Sequence, residues 1–442
     1  MKLDVKRTVL IGFAFFSICA FWQLYNSVIP LMLTNTFHMN ETISGVIMAA
    51  DNVLALFLLP IFGTISDRCR HPWGKRMPFI VFGTIAAVLL MVVLPMIDDS
   101  YAAGADSWKI AAFVAVLLAL LVAMGTYRSP AVALMPDLTP KPLRSRGNAI
   151  INLMGAVGGI LYLGIAAVLY SKSRTSGLDH VDYLPLFVIV AGIMVVSVAV
   201  VFLTIREPAI EHDVAEYEAE HPEENLTEKD ESGNEVLPKP VRRSLTFLLV
   251  SIALWFIGYN AMETWFTTYA AAEWGMALGD ASRCLIVANL GAIASYIPVG
   301  HIAGKVGRKR TILVGICMLG GGFAFCAVWT FAGGGFSPVL YAVMVVLGMG
   351  WAAINVNSLP MVVEMCKGSD IGKFTGYYYT FSMAAQTVTP IVAGWLMANV
   401  SYRSLFVYAT VFVFASFVTM QSVHHGDTTN IEKRGLESFD AD

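Results

Sequence analysis

Gly63-Thr64-Ile65-Ser66-Asp67-Arg68, followed by Gly74-Lys75-Arg76, breaks a long apolar run. Far down the chain Gly300-His301-Ile302-Ala303-Gly304, followed by Gly307-Arg308-Lys309-Arg310, breaks another. Both stretches read as a glycine at the end of one helix, a second glycine, then a basic cluster before the next helix. The first copy carries four extra residues. A weaker echo links Pro136-Asp137 and Gly147 with Pro360, Glu364 and Gly376. Two echoes at matching places indicate an internal repeat of about half the chain length.

The flanking runs are long enough to cross a bilayer. About twenty apolar residues in a helix span the roughly 30 Å hydrocarbon core. Such runs lie near residues 8–34, 42–65, 77–97, 108–135, 147–170 and 183–205, then 244–270, 282–303, 311–331, 338–362, 374–397 and 402–423. Of the 442 residues 57% are hydrophobic and 14% charged, with a mean hydropathy of +0.66, which leaves too little polar surface for a soluble protein of this size. The net charge of −3 says little beside the placement of the charges.

The expected fold is therefore an all-α polytopic membrane protein. Twelve transmembrane helices form two pseudo-symmetric six-helix bundles, residues 1–205 and 244–424. An acidic linker, 206–243, joins them, and a tail, 425–442, follows. The first span follows Lys2, Lys6 and Arg7, and no small-residue cleavage site follows it, so it reads as a span rather than a signal peptide.

Basic residues set the orientation. Of the 29 Lys and Arg, Lys109, Lys172, Arg174, Arg283 and Arg403 fall on one set of alternate loops and Arg128 lies within a span; the rest lie on the other set or at the termini. The bias places both termini in the cytoplasm of a multi-pass protein of the plasma (inner) membrane. Glu207, Glu211, Asp213, Glu216, Glu218, Glu220, Glu223 and Glu224 crowd the linker, which reads as a solvated connector with no chemistry of its own.

The punctuation and the run Ser66-Asp67-Arg68-Cys69-Arg70-His71-Pro72-Trp73-Gly74-Lys75-Arg76 resemble the major facilitator superfamily. Together with Arg128-Ser129-Pro130, Pro136-Asp137, Arg144, Arg146 and Asn148-Ala149, they resemble more closely the sucrose-transporter-like proteins near the glycoside–pentoside–hexuronide:cation symporters. That resemblance implies alternating access between two halves, a sugar substrate and a gate in the loop after the second span. Gly63, Asp67, Arg68, Gly74 and Arg76 are the gate residues it implies, with Asp67 facing a basic group or helix terminus of the other half. Asp137 with Arg144 and Arg146 would form a second gate. Sodium-coupled melibiose carriers have two acidic residues on the second helix, where this chain has Ala55 and Leu59; Asp51 stands instead one turn further out. This departure favours proton over sodium coupling.

Ionisable groups inside a span are costly and default to functional roles. Three occur: Asp51, Arg128 and Glu263, expected to couple proton movement to transport. An ion pair that merely joins helices is the competing reading. Amides suit a hydroxylated neutral substrate because they donate and accept. Gln23, Asn26, Asn52, Asn260, Asn355, Asn357 and Gln386 are the candidates, and Trp22, Tyr127 and Tyr259 are the aromatic ones. Each single amide could equally be interhelical glue.

No nucleophile–base–acid set, phosphate loop or metal-ligand spacing occurs; none of the six cysteines is paired at metal or redox spacing, and most lie inside apolar stretches and read as packing residues. The chain reads as no enzyme, with no cofactor, no metal and no nucleic-acid partner, embedded in membrane lipid as a monomer. The expected activity is proton-coupled uptake of a sugar or glycoside, such as sucrose or maltose. Two rivals stand beside it: a drug or sugar exporter of the same superfamily, and a non-transporting receptor or scaffold.

Overall fold

A computed structural model describes residues 4–140, 143–220, 238–365 and 371–427, without the side chains of 144–146, 149, 218–220 and 371–373. Among the described residues all regular structure is helical. In chain order the helices are α1 Val5–Leu31, continued by a π-helical turn Met32–Thr36, α2 Glu41–Asp67, α3 Met77–Ala103, α4 Ser107–Asp137, α5 Arg144–Leu169, the short α6 Lys172–Thr175 and α7 Leu184–Thr204. Then come α8 Glu207–Glu220, α9 Lys239–Trp274, α10 Leu278–Val306, α11 Arg308–Phe331, α12 Val339–Val363, α13 Ile371–Asn399 and α14 Ser404–Gln421. Twelve of these, all but α6 and α8, are long and apolar enough to cross a membrane, as the sequence predicted.

Local signals account for several ends. The Asp4 carboxylate accepts from the Arg7 N–H at 3.0 Å and starts α1. Pro78 occupies the first turn of α3, where its missing N–H costs nothing. Gly275, in the left-handed region, ends α9. The expected linker differs in detail: it begins with helix α8, and α9 starts at Lys239, a turn before the expected span. Residues 221–237 of the linker and 428–442 of the tail lie outside the described residues.

The chain divides into two compact units. The first is Met1–Met39, Ala50–Leu226 and Ala277–Asp280; the second is Asn40–Ala49, Thr227–Met276 and Ala281–Asp442. In the first unit α1 packs on α5 and α7, and α3 on α4 and α7. In the second α9 packs on α13 and α14, and α11 on α12 and α14. Counted as spans, these are the same pairs in each half: first with fifth and sixth, third with fourth and sixth. The equivalent spans α2 and α10 bury least, 17% of their most apolar stretch in each case. The repeat read from two loops thus extends to the packing.

The α1–α5 contact depends on close backbone approach. A β-carbon on Gly158 would collide with the Phe16 carbonyl, whereas one on Gly164 would meet nothing. Gly158→Val should therefore lower the stability of the purified protein by about 2 kcal/mol or more, and Gly164→Ala should leave it unchanged within about 0.5 kcal/mol. Unfolding of both variants in detergent, followed by circular dichroism, checks this.

Candidate functional site

In the first unit α1 buries Phe21, Leu24 and Tyr25 and leaves Trp22, Gln23 and Asn26 half-buried. Gln23 lies over Gly159 of α5, where a β-carbon would stand 3.2 Å from its Cγ. The Arg128 guanidinium of α4 sits 5.4 Å from the centre of the Trp22 ring, a cation–π contact. On α2 the Asn52 amide donates to the Asp51 carboxylate at 2.8 Å, and both are half-buried. The structure thus brings Trp22 and Arg128 together, and Asp51 and Asn52 together. Tyr127 is fully buried, and its hydroxyl donates to the Ala14 carbonyl at 2.8 Å and meets the Ser17 hydroxyl. It fastens α4 to α1.

In the second unit the rings of Tyr259 on α9 and Trp351 on α12 stack in parallel, with centres 3.6 Å apart and planes 5° apart. Phe256 meets Trp351 edge-on at 5.3 Å. Glu263 stands four residues after Tyr259, and Asn355 four residues after Trp351, so each shares a helix face with one of the stacked rings. Glu263 is exposed although the α9 residues on either side, Ala261, Met262, Thr264 and Trp265, are buried. Asn260 and Asn357 donate to carbonyls of their own helices, Phe256 and Ala353, each at 2.8 Å. Gln386 is half-buried on α13.

Charged nodes occupy the helix ends at the basic loops. Arg76 is 5% exposed. Its guanidinium donates to the Gly63 carbonyl at 3.3 Å, to the Ser66 hydroxyl, to Asp67, and to Asp137 at 2.8 Å. Only a planar fork of five donors serves so many acceptors at once. Glu207, fully buried, accepts from the backbone N–H of Arg76 at 2.8 Å and of Met77 at 2.9 Å, capping α3. Gly74, at φ +114°, makes room, since a β-carbon there would collide with the Glu207 side chain. Lys75 pairs with Glu211 at 2.7 Å and Asp137 at 3.4 Å. Burial raises the Glu207 pKa, and the N–H donors only partly offset it. For Lys75 burial works against the charge, but the Glu211 and Asp137 carboxylates prevail and raise its pKa.

The second unit repeats the node. Arg308 pairs with Glu364, at the end of α12 as Asp137 is at the end of α4. Asp427 accepts from the Arg308 N–H at 2.6 Å and caps α11, beside Gly307 at φ +102°.

Residues expected at the gate gather at these nodes. Asp67 pairs with Arg76 of its own unit. Asp137 pairs with Arg76 and Lys75, while the side chains of Arg144 and Arg146 lie outside the described residues. Arg68 is exposed on the loop. Sequence reasoning missed Glu207 and Asp427, and the available signal was position: each follows the last span of its half, after Thr204 and Gln421. It also found no metal-ligand spacing, yet the fold brings Asp98, Asp99 and His180 within 4.8 Å of one another.

A family model described as "Major Facilitator Superfamily" matches residues 11–293 and 269–436. The sucrose transport protein SUC4 of Arabidopsis thaliana is 35% identical over 126 residues, 27% of this chain and 25% of that protein. The sucrose transport protein SUT1 of Oryza sativa subsp. japonica is 27% identical over 172 residues, 36% and 32% of the respective lengths. The matches thus span a quarter to a third of these relatives. A solved structure of the xylose transporter XylE from E. coli, in a partially occluded inward-open conformation, superposes with a TM-score of 0.65 over 95% of this chain and 99% of that one, at 11% identity. This last likeness concerns the fold alone.

Removing the Glu207 carboxylate strands two buried N–H groups. Glu207→Ala should cost about 1–3 kcal/mol of stability, whereas Glu211→Ala, which removes a half-exposed surface partner, should cost less than about 1 kcal/mol. Thermal unfolding of the two variants side by side checks the difference.

Proposed function

Because this chain belongs to the major facilitator superfamily, and is thus a transporter, we propose that it is a secondary symporter carrying a sugar or glycoside with a proton by alternating access. The observation that carries the substrate class is the stacked Tyr259–Trp351 pair, with Glu263 and Asn355 on the same helix faces. Aromatic faces pack against the C–H face of a pyranose, and a carboxylate and an amide accept from and donate to its hydroxyls. The short matches to proteins named as sucrose transporters support the same class. Trp22, Gln23 and Asn26 supply comparable chemistry in the first unit.

Asp51 is the proposed proton carrier. The Asn52 side-chain amide donates to it. Proton arrival releases that bond and removes the cost of a charge inside a span. Arg128, held over Trp22, is the proposed positive charge that resets the carboxylate after the proton leaves. Sugar and proton together favour the conformational change, and neither alone shifts the equilibrium enough. The Arg76 and Arg308 nodes act as gate elements at the side that the charge bias assigns to the cytoplasm of a plasma-membrane protein.

Uptake of labelled sucrose, maltose and melibiose into proteoliposomes tests the reading. An inward pH gradient should drive accumulation and a sodium gradient should not. Asp51→Asn should abolish accumulation while leaving sugar exchange intact, and full accumulation by that variant would reject the coupling role. Trp351→Ala should raise the sugar concentration for half-maximal uptake about tenfold, equivalent to the loss of one aromatic contact of about 1.4 kcal/mol.

A further inference from the structure

The transport reading uses nothing at the opposite ends of the helices, away from the basic loops, where the first unit gathers Asp98 and Asp99 of α3 with His180 of the segment before α7. The His180 Nε2 lies 2.8 Å from an Asp99 oxygen and 3.6 Å from an Asp98 oxygen. The Asp98 side chain is 0% exposed, and its oxygens make no well-formed hydrogen bond, the Thr36 hydroxyl offering only a loose one. A buried carboxylate so weakly bonded is costly, and one imidazole 3.6 Å away does not supply the missing bonds. Asp182 adds a third carboxylate close to Asp99. Two carboxylates thus face one imidazole, with a third close by.

The segment that presents His180 is held in place. The Tyr170 hydroxyl donates to the Asp182 carbonyl at 2.8 Å, and the Leu184 N–H donates to the Asp182 carboxylate at 2.7 Å. The Tyr170 and Tyr183 rings pack with centres 5.4 Å apart. Asp99 and His180 are about one-third and one-quarter exposed, so an ion has a route in from solvent.

We propose that Asp98, Asp99 and His180 bind one divalent transition-metal ion, of which Zn2+ is the best fit. Zinc bonds to imidazole nitrogen and carboxylate oxygen are about 2.0–2.2 Å, which puts tetrahedral ligand atoms ~3.4 Å apart. The observed 2.8 and 3.6 Å bracket that separation, and the three ligand atoms all lie within 4.8 Å of one another. An imidazole ligand disfavours calcium and magnesium, which take oxygen shells. The ion would give the under-bonded Asp98 carboxylate a strong ligand bond and offset the excess negative charge. Asp182 or water would take the fourth position. Bound metal would clamp the end of α3 to the α6–α7 connection, which makes it a stabiliser of the first unit, independent of which solute the protein carries.

The test is calorimetric titration of Zn2+ into the full-length, tag-free protein in metal-free detergent buffer. A parallel Co2+ titration reads the visible absorption of four-coordinate cobalt. One ion per chain is expected, with weak or no response to Ca2+ and Mg2+. His180→Ala and Asp99→Asn, at partly exposed positions that leave the fold intact, should each weaken Zn2+ binding about a hundredfold. Asp98→Asn should do the same and abolish the cobalt band. Absence of Zn2+ binding, or wild-type affinity in His180→Ala and Asp99→Asn, would overturn the assignment. So would binding of Ca2+ in preference to Zn2+.

Discussion

In hydrocarbon no water is available to a bare peptide group, so every N–H and C=O in a span must be bonded within the span. That constraint makes the chain helical wherever it is apolar. It also concentrates the unsolved problem at the helix ends, where four N–H groups per helix have no internal partner. The protein solves it in the same way twice. A carboxylate from beyond the last span of each half, Glu207 or Asp427, returns to the first N–H groups of the third span of that half. A buried arginine beside the cap then pairs with the acidic end of the fourth span, Asp137 or Glu364. The third, fourth and sixth spans of each half, and the second as well in the first half, are thus joined at one point by charge rather than by apolar packing.

Such a node suits a moving protein. Packing between spans in lipid gains little from the hydrophobic effect, since lipid tails are as apolar as the side chains. Close approach at glycines and charge-assisted bonds at the ends supply specificity in its place. The nodes lie within the separate units, so each half can be rigid on its own terms.

The twelve spans were legible because hydropathy reports membrane crossing directly. The repeat was legible because the glycine–basic punctuation survives in both halves. Which face of a span points inward was not legible, since lipid and core are both apolar and the helical period of hydrophobicity vanishes. Tyr127 shows the result: read as a substrate contact, it is buried, with its hydroxyl spent on Ala14 and Ser17. Asp67 shows a second limit. Its partner Arg76 is nine residues away and was grouped with it, but the local fold that pairs them needs Ser66, Gly63 and the turn at Gly74, which no span count reveals. Asp98 and His180 show a third, because contact between residues 81 or more positions apart is set by packing alone.

The two halves share mechanics but not chemistry. At the helix ends the same device appears in both. Inside the spans the first half places Asp51 beside Asn52 and Arg128 over Trp22, whereas the second places Glu263 on the helix face of the stacked Tyr259 ring. Duplicated scaffolding constrains the ends because a broken cap or an unpaired buried arginine destabilises its half regardless of substrate. The span interiors are under no such constraint, since a polar group there is costly unless it serves a ligand. Differences between the halves are therefore expected to collect where the cargo is handled, and in this chain they fall at the residues proposed to handle it.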